Sequence, residues 1–254
     1  MITEIFRELS NMGILGMNRR NAEYIMRQNP RALYPKVDNK VLTKRLAVEY
    51  HVPTPDLYFV ISRHGDVAGF DKALGDRTSF ALKPARGAGG NGILLIVNRT
   101  PEGFVKQSGV ILSREAIAYH ISSILSGIYS LGGREDSAII EALIRPEPVF
   151  AEIMYEGVPD IRVVVYRGVP VMTMTRLPTR ASDGKANLHA GALGAGIDLA
   201  TGTTLTAVQG SQVVTRHPDT GNPIEGIKVP HWEVILNTAA KAYEMTGLGY
   251  VGVD

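Results

Sequence analysis

Phe80-Ala81-Leu82-Lys83-Pro84-Ala85-Arg86-Gly87-Ala88-Gly89-Gly90-Asn91-Gly92-Ile93-Leu94-Leu95 is the stretch on which the fold turns. It holds a formal GxGxxG at Gly87, Gly89 and Gly92. A dinucleotide fingerprint needs a helix directly after the glycines, whereas Ile93 to Val97 is apolar and β-branched, a strand signal. A Walker loop ends in Gly-Lys followed by Ser or Thr, which is absent, and in a protein kinase the phosphate lysine follows the loop. Here Lys83 precedes it. Ser79 to Lys83 and Gly92 to Val97 are therefore expected to be two strands pairing as a hairpin across a glycine loop. Such a loop can lay backbone N–H groups over a triphosphate while the strand lysine neutralises charge from below. Taken alone, the segment is equally a tight hairpin with a surface lysine.

Working outward, Asp38 or Asn39 can cap a helix carrying Val41, Leu42, Leu46, Ala47 and Tyr50 at helical spacing, stopped by Pro53 and Pro55. Leu57 to Ile61 is a predicted strand, and Gly69 to Leu74 a short helix. Ser113 caps a helix expected from Arg114 to Tyr129, and Ala138 to Ile144 is a predicted buried strand. Asp160 to Tyr166 and Pro170 to Arg176 flank Arg167-Gly168-Val169, a hairpin signal. Residues 183 to 198 are expected to be a long polar loop, Val234 to Met245 a helix, and Tyr250 to Asp254 the beginning of a strand. Before Asn39 there are two short helical patterns, near Ile5 to Leu9 and from Arg20 to Arg27. The division predicted is residues 1–38, a short helical segment, and 39–254, one α+β domain.

Composition narrows the classes. Of 254 residues, 44% are hydrophobic and 20% charged, an ordinary globular balance that excludes disorder and collagen. With no cysteine there is no disulfide framework, no thiolate zinc site and no cysteine nucleophile. The N-terminus carries Glu4, Arg7 and Glu8 where a signal peptide needs an apolar run, and no apolar run reaches the about 18 residues of a spanning helix. A reducing, cytoplasmic setting without a membrane span is expected. Lys and Arg number 27 against 25 Asp and Glu, so a net charge of +2 makes no case for nucleic acid.

From about Asn39 to Asp254 the chain resembles the ATP-grasp superfamily, within it the α-L-glutamate ligase-like branch that includes the ribosomal-protein S6 modification enzymes. Asn39-Lys40, followed by His51-Val52-Pro53, is similar to that family's Asp-Lys helix ending in Gly-Ile-Pro, and Leu82-Lys83-Pro84 with the glycine loop resembles its second phosphate lysine and lid. Ile139-Ile140-Glu141-Ala142-Leu143-Ile144 resembles the hinge strand that holds adenosine. Asp160-Ile161-Arg162, Arg176, Asn187-Leu188-His189-Ala190-Gly191-Ala192 and Gly252-Val253-Asp254 match further family segments in order.

The resemblance implies an ATP-grasp fold, two α+β subdomains clamping ATP, with a lid from about 56 to 142 and a body from about 143 to 254. It implies ATP and Mg²⁺ as cofactors, Lys40, Lys83, Gly87, Gly89, Gly90, Gly92, Glu141 and Leu143 as nucleotide contacts, and Arg162, Arg176 and Asn187 as catalytic groups. Asp254 falls where the family binds its first magnesium. The activity implied is ADP-forming carboxylate–amine ligation through an acyl phosphate, with glutamate or another amino acid as amine and a peptide, protein or small carboxylate as acceptor. Four cations suit that charge-dense chemistry, and an arginine fork matches a planar carboxylate or acyl phosphate. His120, His217 and His231 are expected to be structural or surface residues.

Two departures matter. The family's Glu-x-Asn element occurs nowhere in the sequence, so the natural protein is expected to continue past Asp254, and only 38 residues precede Asn39, so acceptor recognition is expected to use a partner protein, a second subunit or the 183–198 loop. A non-catalytic ATP-binding regulatory module is the alternative, and relatives acting in sugar or cell-envelope pathways share the same motifs.

Overall fold

The computed structural model describes residues 2–87, 89–130 and 132–254; Ala88 of the glycine loop lies outside them. Among the described residues, twelve strands form two six-stranded antiparallel sheets. The first joins β1 (Leu57–Ile61), β2 (Phe80–Pro84), β3 (Leu94–Thr100), β4 (Gly103–Lys106), β5 (Ile111–Leu112) and β6 (Ala138–Glu141) in the order β1-β6-β2-β3-β4-β5. The second joins β7 (Asp160–Tyr166), β8 (Val169–Leu177), β9 (Leu193–Ile197), β10 (Thr204–Gln209), β11 (Gln212–Val214) and β12 (Tyr250–Val253) in the order β11-β10-β9-β8-β7-β12.

The expected hairpin is present, with Leu82 opposite Leu94 and Phe80 opposite Ile96. Phe80, Leu82 and Ile96 turn to one face, where the helix Arg114–Leu125 lays Ile117, Ile121 and Ile124 over them. Phe70, Phe80 and Phe104 meet edge-on at 5.7–5.8 Å between centroids, the arrangement ring quadrupoles favour. Ser113 Oγ caps this helix at Ala116 N, as its sequence predicts. The helix stops at Leu125 rather than Tyr129, because Gly127 sits at φ +81° with its Cα against the Arg134 carbonyl, where a Cβ would meet oxygen at 2.3 Å.

Three further expectations are corrected. β6 ends at Glu141, not Ile144, and the next amide, Ala142 N, bonds Asp56 O instead of a strand. The 183–198 loop contains β9, an interior strand whose Leu193, Ala195 and Ile197 enter the second core. Its alternate residues are Gly194 and Gly196, which read as loop, yet a Cβ on Gly194 would press on Leu188 at 3.2 Å. The last helix is two, Trp232–Ala240 and Ala242–Thr246. His217 is buried, bonding Pro178 O through Nε2 and receiving Asp219 N at Nδ1.

Residues 17–28 are helical, widened by an i to i+5 turn over Arg20–Ile25, and they pack on the body. Tyr24 contacts Tyr166 and Tyr250, each at 5.8 Å. Asn29 pairs both ways with the Tyr250 backbone, donating to its carbonyl at 2.7 Å and accepting its amide at 2.9 Å, and so covers the β12 edge.

Candidate active site

Glu141 ends the strand between β1 and β2, opposite Leu57 on one side and Ala81 on the other. The residue is 1% exposed, a position tolerable for a carboxylate only with compensating charge. Two lysines supply it. Lys83, two residues along β2 from Ala81, ion-pairs Oε1, and Lys44 Nζ lies 2.8 Å from Oε2. Lys44 aims its hydrogen bond at Pro55 O, 2.6 Å away, so Oε2 receives charge but no aligned donor. Glu141 and Lys83 both line a cleft, which Lys44 does not reach.

Lys40 and Lys44 are one turn apart on the helix Lys40–Glu49, which Asn39 caps through Val41 N and Leu42 N. Lys40 Nζ donates to Gly87 O at 2.6 Å and Ala85 O at 3.4 Å, fastening the helix to the root of the glycine loop. Burial, reinforced by the Lys83 ammonium, holds Lys40 below its ordinary value of 10.5.

The loop is built for close approach. Gly89 and Gly90 take φ of +65° and +79°, which side chains resist. Gly92, at φ +76°, lies against Tyr129, where a Cβ would reach the ring at 2.6 Å, and its carbonyl is bonded by His120 Nε2 at 2.9 Å. At the loop's other root Asp136 accepts both contacts of Arg86 N, at 3.0 and 2.9 Å, together with Ser130 Oγ and Ser137 N. Asn187 Nδ2, from the second half of the chain, reaches Gly89 O at 3.4 Å.

Between the halves lies a cleft of about 400 Å³. Ala81, Ile93, Leu95, Leu143, Ile144 and Val158 give it apolar walls, Lys83 and Glu141 give it charge, and Gly90 of the loop also lines it.

A second charged group stands on β7, β8 and β12. Asp160 is opposite Arg176, and Asp254 follows Val253, which pairs with Val163, placing it beside Arg162. Arg176 grips Asp160 with two bonds of 2.6 Å and reaches Asp254 at 2.9 Å. Arg162 holds both Asp254 oxygens, Nη2 at 2.8 Å to Oδ2 and Nε to Oδ1. Burial raises the Asp160 carboxyl although Arg176 opposes it. Burial also works against the Arg176 charge, but its bond to Asp160 and the nearby Asp254 leave it raised. Gly252 makes room for this, since a Cβ there would meet Arg162 Nη1 at 2.4 Å.

A magnesium ion at Asp254 does not fit these residues by themselves. Both oxygens are taken by arginines, and among the described residues no three His, Asp or Glu side chains converge into a metal-binding group.

Of the residues singled out in the sequence, Lys40, Lys83, Glu141, Gly87, Gly89, Gly90 and Gly92 form one group, with Leu143 in its cleft. Arg162, Arg176 and Asp254 form a second, and Asn187 reaches from the body to the loop. Asp160 is bonded by Arg176. Sequence reasoning missed Lys44, Asp136 and the service of His120; the one available signal was that Lys44 shares a helical face with Lys40.

Comparison with known proteins places the chain. A family model described as sugar-transfer associated ATP-grasp matches residues 19–254. The chain belongs to that ATP-grasp family. The match begins at 19, within the helical segment that carries Tyr24. Similar solved structures include the ATP-grasp ligase PsnB with its minimal precursor, 14% identical over 89% of this chain and 48% of that one, TM-score 0.41. Another is D-alanyl-alanine synthetase A from Vibrio cholerae, 13% identical over 86% and 49%, TM-score 0.44. A third is a RimK domain ATP-grasp protein from Sphaerobacter thermophilus, 13% identical over 86% and 70%, TM-score 0.36. The chain thus spans about half the length of PsnB. No curated protein matches it. Among the described residues no helix is long and apolar enough to cross a membrane.

Proposed function

We propose that the chain carries the nucleotide cleft of an ATP-dependent, ADP-forming ligase that joins a carboxylate to an amine, an amino acid such as glutamate being the amine first to test. The observation that carries this reading is the buried Glu141 held by Lys44 and Lys83 on the wall of the cleft, its Oε2 without an aligned donor, beside a loop tied down by Lys40. Lys83 and Lys40 would take the phosphates, Gly89 and Gly90 would present backbone N–H groups above them, and Glu141 with the chain at Leu143 would receive the nucleoside. ATP supplies the phosphoryl group that makes a carboxylate electrophilic as an acyl phosphate. The chain's own contribution is to orient and to balance charge. Arg162 and Arg176 present guanidinium forks on adjacent strands, Asp160 and Asp254 fix their directions, and the Asn187–Gly89 contact holds the loop against the body so that water is excluded. No step is assigned to a metal at Asp254; magnesium would arrive on the nucleotide. ATP-rich cytoplasm is the setting proposed.

The test is ATP binding by calorimetry and ADP release across paired panels of carboxylates and amines. Lys83→Ala is expected to weaken ATP binding by about 1.5–3 kcal/mol, roughly ten- to a hundredfold, the worth of a charge-assisted contact. Unaltered ATP affinity would refute the assignment. The absence of a three-ligand acidic cluster among the described residues favours a second reading, an ATP-binding regulatory module, and ATP binding without amine-dependent ADP release would select it.

A further inference from the structure

Behind the glycine loop lies a larger cavity, about 780 Å³, that shares no wall residue with the nucleotide cleft. Arg45, His64 and Arg86 stand on its wall. Among the described residues Arg45 and His64 make no ion pair or side-chain hydrogen bond, and Arg86 spends only Nη1, on the Glu135 carbonyl at 2.9 Å. Of the two carboxylates present, Asp136 keeps its charge but has its oxygens occupied by backbone and hydroxyl donors, so Arg45, His64 and Arg86 are left with donors that neither carboxylate takes up. The helix Lys40–Glu49 offers no free N–H here, since Asn39 and Ala85 O absorb its first turn. Recognition must come from the side chains, with Ser62 and Ser137, bonded to each other at 2.9 Å, adding hydroxyls.

We infer that this cavity binds a small polar anion bearing a phosphate or carboxylate group and that its occupancy sets the position of the glycine loop. The cavity wall includes Ala85 and Arg86, the two residues before Gly87. Ala85 O accepts Lys40 N at 3.0 Å, Arg86 N is clamped by Asp136, and Gly87 O accepts Lys40 Nζ. An anion drawing the Arg86 side chain inward pulls on the same peptide units that seat Lys40. Binding at two such sites is reciprocal, so nucleotide must alter the anion's affinity by the same factor. The coupling rests on the nucleotide reading above; the anion site does not.

The test titrates inorganic phosphate, and separately succinate, into the full chain with and without a saturating non-hydrolysable ATP analogue. The Arg45→Ala/His64→Ala double variant changes two exposed residues outside the nucleotide machinery, and Lys83→Ala serves as the contrast. Expected is phosphate or succinate binding that survives both the analogue and Lys83→Ala but weakens about tenfold or more in the double variant. Which anion binds tells phosphate from carboxylate. Binding lost only in Lys83→Ala, or found for neither anion, overturns the site. Nucleotide affinity unchanged at saturating anion overturns the coupling.

Discussion

Replacing Glu141 by Gln keeps the size and shape of a fully enclosed side chain while removing its charge and turning one acceptor oxygen into a donor, which makes it a sharp probe of the lysine cluster. The side chain is 2% exposed, against 10% for Lys44 and 20% for Lys83. Breaking a buried ion pair by removing one partner costs about 3–5 kcal/mol, most of it the penalty of stranding the other charge. Lys83 borders the cleft and can turn to water, so its share is small, whereas Lys44 remains enclosed with only Pro55 O to receive it. The loss is therefore expected near the lower end, about 3 kcal/mol. Urea unfolding reads it as a fall in midpoint of about 1 M at an unchanged slope of about 3 kcal/mol/M. Replacing all three together, Lys44→Met, Glu141→Leu and Lys83→Met, restores most of the stability, because no charge is stranded, while the ATP affinity of that variant falls. A Glu141→Gln loss below about 0.5 kcal/mol, the range of ordinary surface changes, would refute the reasoning.

Lys40 gives a pH signature. Its value is lowered in the folded chain, so between that value and 10.5 the unfolded chain binds a proton that the folded one does not. Stability from this group is fully present above 10.5 and is lost as pH falls through the lowered value. Urea midpoints followed from about pH 8 to 11 should contain a rising component that Lys40→Met abolishes; an identical slope in the variant would contradict it. Gly92→Ala should cost about 2–3 kcal/mol, combining a positive φ with contact on Tyr129, whereas Gly90→Ala, with the same φ problem but open space, should cost about 1. Equal losses in thermal or urea unfolding would show that the Tyr129 packing does not matter. Asp136→Asn turns an amide donor toward groups that themselves donate and should cost about 2–3 kcal/mol by the same assay.

Much of this was legible in local pattern. The strand-glycine-strand order around Lys83, the caps at Asn39 and Ser113 and the 160–176 hairpin follow from short-range chemistry and appear in the structure where that chemistry puts them. What escaped was set by register and tertiary pairing. Alternation along β7 puts Asp160 and Arg162 on one face and suggests that they pair, but cross-strand register gives Asp160 to Arg176 and leaves Arg162 to Asp254, 92 positions away. Lys44 reads as an ordinary solvated helix lysine until Glu141 arrives from a strand far along the chain. β9 was hidden because Gly194 and Gly196 lower strand propensity, yet Gly194 is what lets Leu188 lie on the sheet beside Asn187.

The distribution of carboxylates also says which cation a phosphate engages first. Lys83 is paired with Glu141, and Arg162 and Arg176 with Asp160 and Asp254, so at each of them an incoming oxyanion competes with a resident carboxylate. Lys40 makes its hydrogen bonds to the carbonyls of Ala85 and Gly87 instead, and it is the cation whose charge burial and Lys83 disfavour. An anion beside it relieves that penalty without breaking an ion pair, and it does so at the point where the glycine loop is anchored. Under the proposed ligase reading, nucleotide would therefore be captured first at Lys40, where the glycine loop is anchored, and the arginine pair, engaged by its own aspartates, would be held for charge that develops later on the transferred group.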